Sequence, residues 1–494
     1  MAKPHGIQRD TYERAAGDYG DEPLVVRSTP VPDPGNILGD IPVPEAFAWV
    51  RHGAGLAGWG EAARVTLPAG EDRFTAGEKW LREVTESADV RDDAGCRGSG
   101  LVAFGSFTFD SSSDGSVLVV PRVLLGRDSR GRAWLTTVTR ASEVAASEAA
   151  GVPLAGQALA AAGIPLDEPS GVSWHDGSLS AMEWEQAVAT AVRRISRGDL
   201  RKVVLARDVY ASAARPLDQR VLLRRLASRY PDCYTFACAG LIGATPELLI
   251  SRDGREVTSL VLAGTMPRGA TPAEDNKIAA ALLGSAKDNE EHVYAVTSLR
   301  EILEPLCDEL DIAPRPELIR LPNLQHLGTP VRGTLRADRD NRSALALAAA
   351  VHPTAAVGGT PTDTAVELIR VLENMDRERY AGPVGWIDAD GNGEWGIALR
   401  CAQLDGSRAR LFAGCGIVAG SDPATELAEA QIKFRPMQTA LEQSDLSRSA
   451  VSRAQFRAIK RPYRAVPLSR QRGGKRPIRP PAGTWSRPRY PEPR

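Results

Sequence analysis

Cysteine is scarce in this chain: six residues, at 96, 233, 238, 307, 401 and 415, with no CxxC pair. That excludes a disulfide framework and a Cys-rich zinc site, and the thiols are expected to be buried or idle in a reducing compartment. No run of 18 or more apolar residues occurs, so no membrane span is expected. The opening stretch MAKPHGIQRDTYERAAGDYGDE is polar and lacks an apolar signal core, which points to a cytoplasmic location. There is no GxxxxGK followed by Ser or Thr and no strand-led GxGxxG, so neither phosphate-loop fingerprint is present. His292, His326 and His352 lack the i, i+4 spacing of a zinc helix and read as structural or substrate-contacting histidines. No repeat with a period of 20–50 residues and no clean linker is visible.

An excess of either charge is also missing, with 61 Lys+Arg against 62 Asp+Glu. The balance hides an asymmetry. From Asp445 to Arg494 there are 14 basic and 2 acidic residues, net +12, which leaves −13 on the rest. This Arg- and Pro-rich tail, 445–494, has little to bury and is expected to be disordered. Basic tails can bind nucleic acid through phosphates, but no nucleic-acid-binding motif accompanies this one, so a solvated appendage is the expectation.

What is present is a large apolar complement, 43% of the 494 residues. Residues 1–45 are Pro-, Gly- and Asp-rich and are expected to be loosely ordered. Between 45 and 140 lie strand-like runs such as LVAFGSFTFD (101–110) and SVLVVPRVLLG (116–126); 141–170 is Ala-rich and reads as helix plus loop. Ser180 with Glu183 forms a capping box. Trp184, Ala187, Val188, Ala191, Val192 and Ile195 follow at helical spacing, and Gly198 ends the helix. Strands and helices then alternate to about residue 442, with 180–440 reading as one unit.

Several stretches are too rich in Gly, charge and His for ordinary core. RKVVLARDVY (201–210) reads as a half-buried strand with a lysine, Lys202, at its head; a strand-end lysine that reaches to solvent is the ordinary alternative. In KDNEEHVYAVTSLREIL the apolar positions Val296, Leu299 and Leu303 define a helix face, with Glu291 on its margin and Asp288 about one turn earlier. In SDPATELAEAQIKF, Asp422 is a good N-cap and Pro423 a good first residue, and Glu426, Glu429 and Lys433 line one face. Two helices thus each offer two acids at i, i+3, hard oxygen donors suited to Mg²⁺, though solvated acidic faces have the same spacing. The glycine-rich LAGTMPRG and FAGCGIVAGSDP bring backbone N–H groups close to a neighbour, the second just before a helix N-terminus; tight turns between strands would look alike. Arg400 and Lys433 could clamp carboxylates or form ordinary surface pairs.

Taken in order, KVVLAR, ATPELLI, AGTMPRG, KDNEEH, LQHLGTPVRG, HPTAAVGG, YAGPVGW, ALR and GIVAGSDPATELAE resemble the chorismate-utilising enzymes, the isochorismate, salicylate, anthranilate and aminodeoxychorismate synthases. The resemblance is strong over 180–440 and weaker over 100–125. It implies an α+β fold in which two antiparallel sheets pack as a core sandwich with helices outside, and a catalytic domain over 46–442. It implies Mg²⁺ bridging the substrate carboxylate, with Glu291 and Glu429 as direct ligands and Asp288 and Glu426 in support. Gly264, Thr265, Ala355, Arg400, Gly414 and Lys433 fall where the family contacts substrate, and Tyr380 beside the pyruvyl group.

Family members that add water have lysine at the head of the strand, whereas those that add ammonia typically have glutamine. By resemblance Lys202 is then the general base that activates water toward C2 of chorismate. Glu247 in ATPELLI is the general acid for the departing C4 hydroxyl, and must start protonated. The implied product is isochorismate, for menaquinone or siderophore formation. Salicylate synthase is the nearest alternative, but VHPTAAVGG resembles the isochorismate-forming branch. Lys202 and the lack of a glutaminase segment count against anthranilate-type chemistry, and the filled catalytic positions count against an idle scaffold. The expected partner is chorismate alone, with no membrane and no nucleic acid, and a monomer is the default. Two positions depart from the family pattern: Ala355 follows Thr354 where proline is frequent, and Cys415 stands where alanine is usual.

Overall fold

The computed structural model describes residues 22–144, 164–339 and 342–442. The basic tail and most of the Ala-rich stretch lie outside these. The capping box forms as expected: Ser180 N and Oγ donate to Glu183 Oε2 at 2.8 and 2.7 Å, and Glu183 N donates to Ser180 Oγ at 3.3 Å. It starts the helix Ala181–Ser196, which buries Trp184, Ala187, Val188, Ala191 and Ile195. The expectation of loose order needs correction over 22–45, where Leu24–Val31 is a strand and Ile37–Gly39 a 3₁₀ turn; residues 1–21 lie outside the described residues. Leu24, Val25 and Val26 bury apolar surface there, which the surrounding Pro and Gly obscured.

Among the described residues, 21 strands join into one large, mostly antiparallel sheet with helices packed on it. This corrects the expectation of two separate sheets. Two long strands cause the continuity. Ala54–Leu67 and Ser116–Arg127 pair along almost their whole lengths, with an irregularity between Glu61 and Ala63. At its start the first also pairs with Phe47–Arg51, and the second pairs at its start with Val102–Ser106. A bulged pair of this length lets one ladder turn a corner where two sheets would otherwise begin.

From that corner the ladder runs in two arms. One passes through Phe47–Arg51, Tyr234–Cys238, Leu241–Thr245, Cys401–Asp405 and Arg408–Ile417 to Lys202–Ser212. The other passes through Val102–Ser106, Pro383–Asp388, Gly393–Ile397, Leu248–Asp253 and Glu256–Pro267 to Leu324–Leu335. The chain crosses between arms at two short joints. Pro246 and Glu247 link Thr245 to Leu248, and Ala398 to Arg400 link Ile397 to Cys401. A continuous core that includes Trp49, Phe104, Trp184, Phe236 and Trp395 fills the interior. Among the described residues no helix is long and apolar enough to cross a membrane.

Candidate active site

Lys202 opens the strand Lys202–Ser212, whose side chains are buried on both faces as far as Asp208. The expected half-buried strand is thus a core strand, and Lys202 is itself 0% exposed. Its Nζ lies 3.2 Å from Glu291 Oε1 and has no hydrogen-bond partner. The contact is therefore an ion pair without hydrogen-bond alignment, and the alternative of a lysine reaching to solvent is excluded.

Glu291 belongs to the helix Ala286–Leu303, capped by Ser285, whose Oγ accepts from Asp288 N at 3.2 Å. The buried stripe is Asp288, His292, Ala295, Leu299 and Leu303, which includes the expected Leu299 and Leu303, with Val296 partly buried against the core. His292, which sequence periodicity did not place on this face, is an interior residue. Its Nδ1 contacts Ala263 O at 3.2 Å and its Nε2 contacts Thr329 Oγ1 at 2.7 Å, while burial lowers its pKa. Gly416 makes room for Glu291: a Cβ at that position would lie 2.1 Å from Glu291 Oε1.

The second acidic helix, Pro423–Glu442, starts as expected, with Asp422 Oδ1 accepting from Thr425 N at 2.9 Å. It presents Glu426, Glu429 and Lys433. Lys433 Nζ pairs with Glu429 Oε1 at 2.5 Å and donates to Gly414 O at 2.8 Å. Lys287 Nζ, from the first acidic helix, pairs with Glu426 Oε1 at 2.6 Å. Burial opposes the Lys287 charge, yet Glu426, with Glu429 and Glu291 nearby, holds its pKa above the ordinary value. Burial also raises the pKa of Asp288 and of Glu426, the first helped by Glu291 and the second by Glu429. The four acids thus share one field. Glu426, Glu429 and Cys415 offer ligand atoms within 4.8 Å of one another, a group that does not include Glu291. Burial pushes the Cys415 thiol well above the ordinary range, and its Sγ donates to Glu426 O at 3.3 Å. The remaining donors are carboxylates, which fit a hard divalent cation.

A cleft open to solvent lies where the arms meet. Of the expected residues, Glu247, Gly264, Thr265, Glu291, Tyr380, Arg400, Gly414 and Lys433 line it. Ala355 does not: it is buried at 1% exposure, and Ala356 and Val357 form the wall in its place. Lys202, Asp288, Glu426 and Glu429 are not lining residues, although Lys202 touches Glu291, which is. Gly264 sits at φ +78° where the strand register shifts between Ala263 and Thr265, a conformation that favours glycine. Arg400 also has a left-handed backbone, φ +50°, and among the described residues no side chain or carbonyl pairs with its buried guanidinium. Backbone strain of this kind collects at functional sites.

Sequence reasoning did not place Arg377 or Val357 in the cleft, and left His326 open. His326 Nδ1 bonds Thr265 Oγ1 at 3.0 Å, and its Nε2 is buried without a partner. Burial, with Arg400 and Lys433 close by, keeps it neutral by lowering its pKa far below the ordinary value. The signal was a lone histidine inside the strand-like run LQHLG.

Glu247 occupies the joint before Leu248 and is 5% exposed. Burial pushes its pKa up from 4.5 to about 8, against the opposing pull of Lys202 and Arg400. A proton donor in its acid form at neutral pH therefore faces a cleft that also presents Arg400 and Lys433, an arrangement suited to an anionic substrate that loses a hydroxyl. One consequence is testable without substrate. Between 4.5 and about 8 the folded chain holds a proton that the unfolded chain has lost, so Glu247 makes stability fall as pH rises through that window. Glu247→Gln should therefore gain thermal stability over the parent toward pH 8 and match it near the bottom of the window. Unfolding midpoints across this range check it; an equal difference at every pH would place the ionisation elsewhere.

Residues 39–442 match the family described as chorismate binding enzyme. Isochorismate synthase DhbC of Bacillus subtilis strain 168 is 40% identical over 287 residues, covering 56% of this chain and 72% of that protein. Isochorismate synthase MenF of the same strain is 37% identical over 360 residues, 69% of this chain and 75% of that one. The solved structure of MenF, the menaquinone-specific isochorismate synthase from Escherichia coli, superposes with a TM-score of 0.71 at 25% identity, covering 85% of this chain and 95% of that one.

Proposed function

The chain belongs to the chorismate binding enzyme family, and from that premise we propose that it is an isochorismate synthase. The observation that carries the reading is the pairing of a fully buried lysine, Lys202, with a cleft acid, Glu247, whose pKa is pushed up to about 8. Water addition needs a base and hydroxyl departure needs an acid. Lys202, in the fraction that has lost its proton, takes one from water as the water oxygen bonds to C2 of chorismate. The double bonds shift, and Glu247 protonates the C4 hydroxyl, which leaves as water. One water enters and one leaves, and proton exchange resets both groups.

Arg400 and Lys433 orient the substrate carboxylates, and His326 Nε2 offers one further polar contact. Asp288, Glu291, Glu426 and Glu429 would hold Mg²⁺. When bound, the ion supplies positive charge to a substrate carboxylate. We read 46–442 as the catalytic domain of a cytoplasmic protein, so a chain ending at Glu442 should retain full turnover. Loss of turnover in that shortened chain, with its fold intact, would give the basic tail a part in the chemistry.

The deciding experiment is incubation with chorismate and Mg²⁺, without ammonium or glutamine, followed by separation of products. Isochorismate is expected. Salicylate and pyruvate as the early major products would move the chain to the salicylate-forming branch, and anthranilate formed from added ammonium would overturn water activation by Lys202.

A further inference from the structure

The strand headed by Lys202 is covered along one edge by Arg408–Ile417, paired from Ile417↔Val203 to Arg408↔Ser212. Its other edge is interrupted. Gly359 and Thr360 pair with Val203 and Lys202, and Ser173–Asp176 pairs with Ser212–Val209. Between these no strand of the described residues lies against Val204–Asp208, although buried backbone groups there still need partners. Gly358 O accepts from Val204 N at 2.8 Å, and side chains supply other partners. Glu373 Oε1 accepts from Ala206 N at 2.7 Å, Arg377 Nη2 donates to Val204 O at 2.7 Å, and Trp184 Nε1 donates to Ala206 O at 3.1 Å.

Glu373 and Arg377 are also bound to each other and to the cleft wall. Arg377 Nε donates to Glu373 Oε2 at 2.9 Å, and its Nη1 donates to Val357 O at 2.9 Å. Its guanidinium lies 4.2 Å from the Phe109 ring centroid and 6.0 Å from that of Tyr380. Both residues are almost fully buried, at 2% and 3% exposure. A buried ion pair is poor evidence for stability, because well-packed apolar residues often serve as well. The partners of this pair are more telling: Arg377, Val204, Val357 and Tyr380 all line the cleft.

We propose that Glu373 and Arg377 are positioning residues that stand in for a missing strand. They fix the register of the Lys202 strand against the Val357 and Tyr380 wall. Neither takes part in proton transfer. They set the distance between the base and the substrate, to which rates are steeply sensitive.

The test rests on the proposed chorismate turnover and uses the full chain. The double substitution Glu373→Leu with Arg377→Met removes both charges of the pair and should still fold, with a thermal midpoint lowered by the backbone groups at Ala206, Val204 and Val357 left without partners. Its kcat should fall about 10–100-fold, with KM moved less than about threefold and the Mg²⁺ requirement unchanged, because the acids lie on other helices. Hydrogen exchange at the Ala206 amide should accelerate while that at Val209 stays unchanged. Arg377→Lys keeps the charge but cannot bridge Glu373, Val204 and Val357 together, so it should resemble the double variant in kcat; it also decides the matter if the double variant does not fold. Near-parental kcat in a folded variant, or a loss only in proportion to unfolded protein, would overturn the proposal. If the parent shows no turnover, the functional reading falls, and exchange at Ala206 alone decides the brace.

Discussion

Lys202→Gln is expected to lower isochorismate formation by about 10²–10⁴, the usual cost of removing a general base, without unfolding the chain. The side chain is enclosed entirely, and Nζ contacts Glu291 at 3.2 Å without a hydrogen bond. Glutamine has a comparable stem and can occupy the same space, but its amide cannot take a proton from water. Chorismate should still bind, since Arg400 and Lys433 come from other elements. Because a reversible reaction uses the same groups both ways, the loss should be equal starting from isochorismate. Turnover, binding and thermal midpoint together check this. Near-normal rates in both directions would reduce Lys202 to a buried structural cation and remove the proposed mechanism.

The second large effect concerns the acidic helices. Glu291→Gln and Glu429→Gln are each expected to raise the Mg²⁺ concentration needed for activity at least about tenfold, as losing one charged oxygen donor does at a hard-cation site. The two should differ in a way the ion pairs dictate. Glu429→Gln releases Lys433, which still donates to Gly414 O at 2.8 Å. Glu291→Gln leaves Lys202 buried without its carboxylate, so it should also lower the thermal midpoint. Calorimetric titration with Mg²⁺ measures the affinity apart from turnover. Unchanged Mg²⁺ affinity in both variants would remove these residues from the metal site.

Much of the site was legible because its elements announce themselves locally. The capping box at Ser180, the Asp422-Pro423 start and the paired acids need only helical periodicity. Other features depend on long-range packing that no local pattern encodes. The face of the first acidic helix was read correctly at Leu299 and Leu303, but its extension to His292 was missed, because histidine counts as polar in a periodicity and here is a doubly bonded interior residue. Ala355 and Ala356 are indistinguishable by type, and only the path of the loop decides which faces the cleft. Arg377 reads as a surface charge until one sees the gap in the sheet edge that it fills. The single continuous sheet was hidden for a related reason: Ala54–Leu67 looks like one strand whether or not it turns a corner.

The two-armed ladder also has a consequence for how the molecule acquires its activity. Lys202 stands on the terminal strand of one arm. Gly264 and Thr265 stand on the penultimate strand of the other, twelve pairings away along the ladder, and His326 on its last strand, thirteen away. They meet only when both arms are complete and closed on each other, so the cleft depends on long-range pairings such as that of Lys202–Ser212 with Arg408–Ile417. Such contacts form late and slowly. On dilution from denaturant, far-ultraviolet circular dichroism should therefore recover before chorismate turnover does.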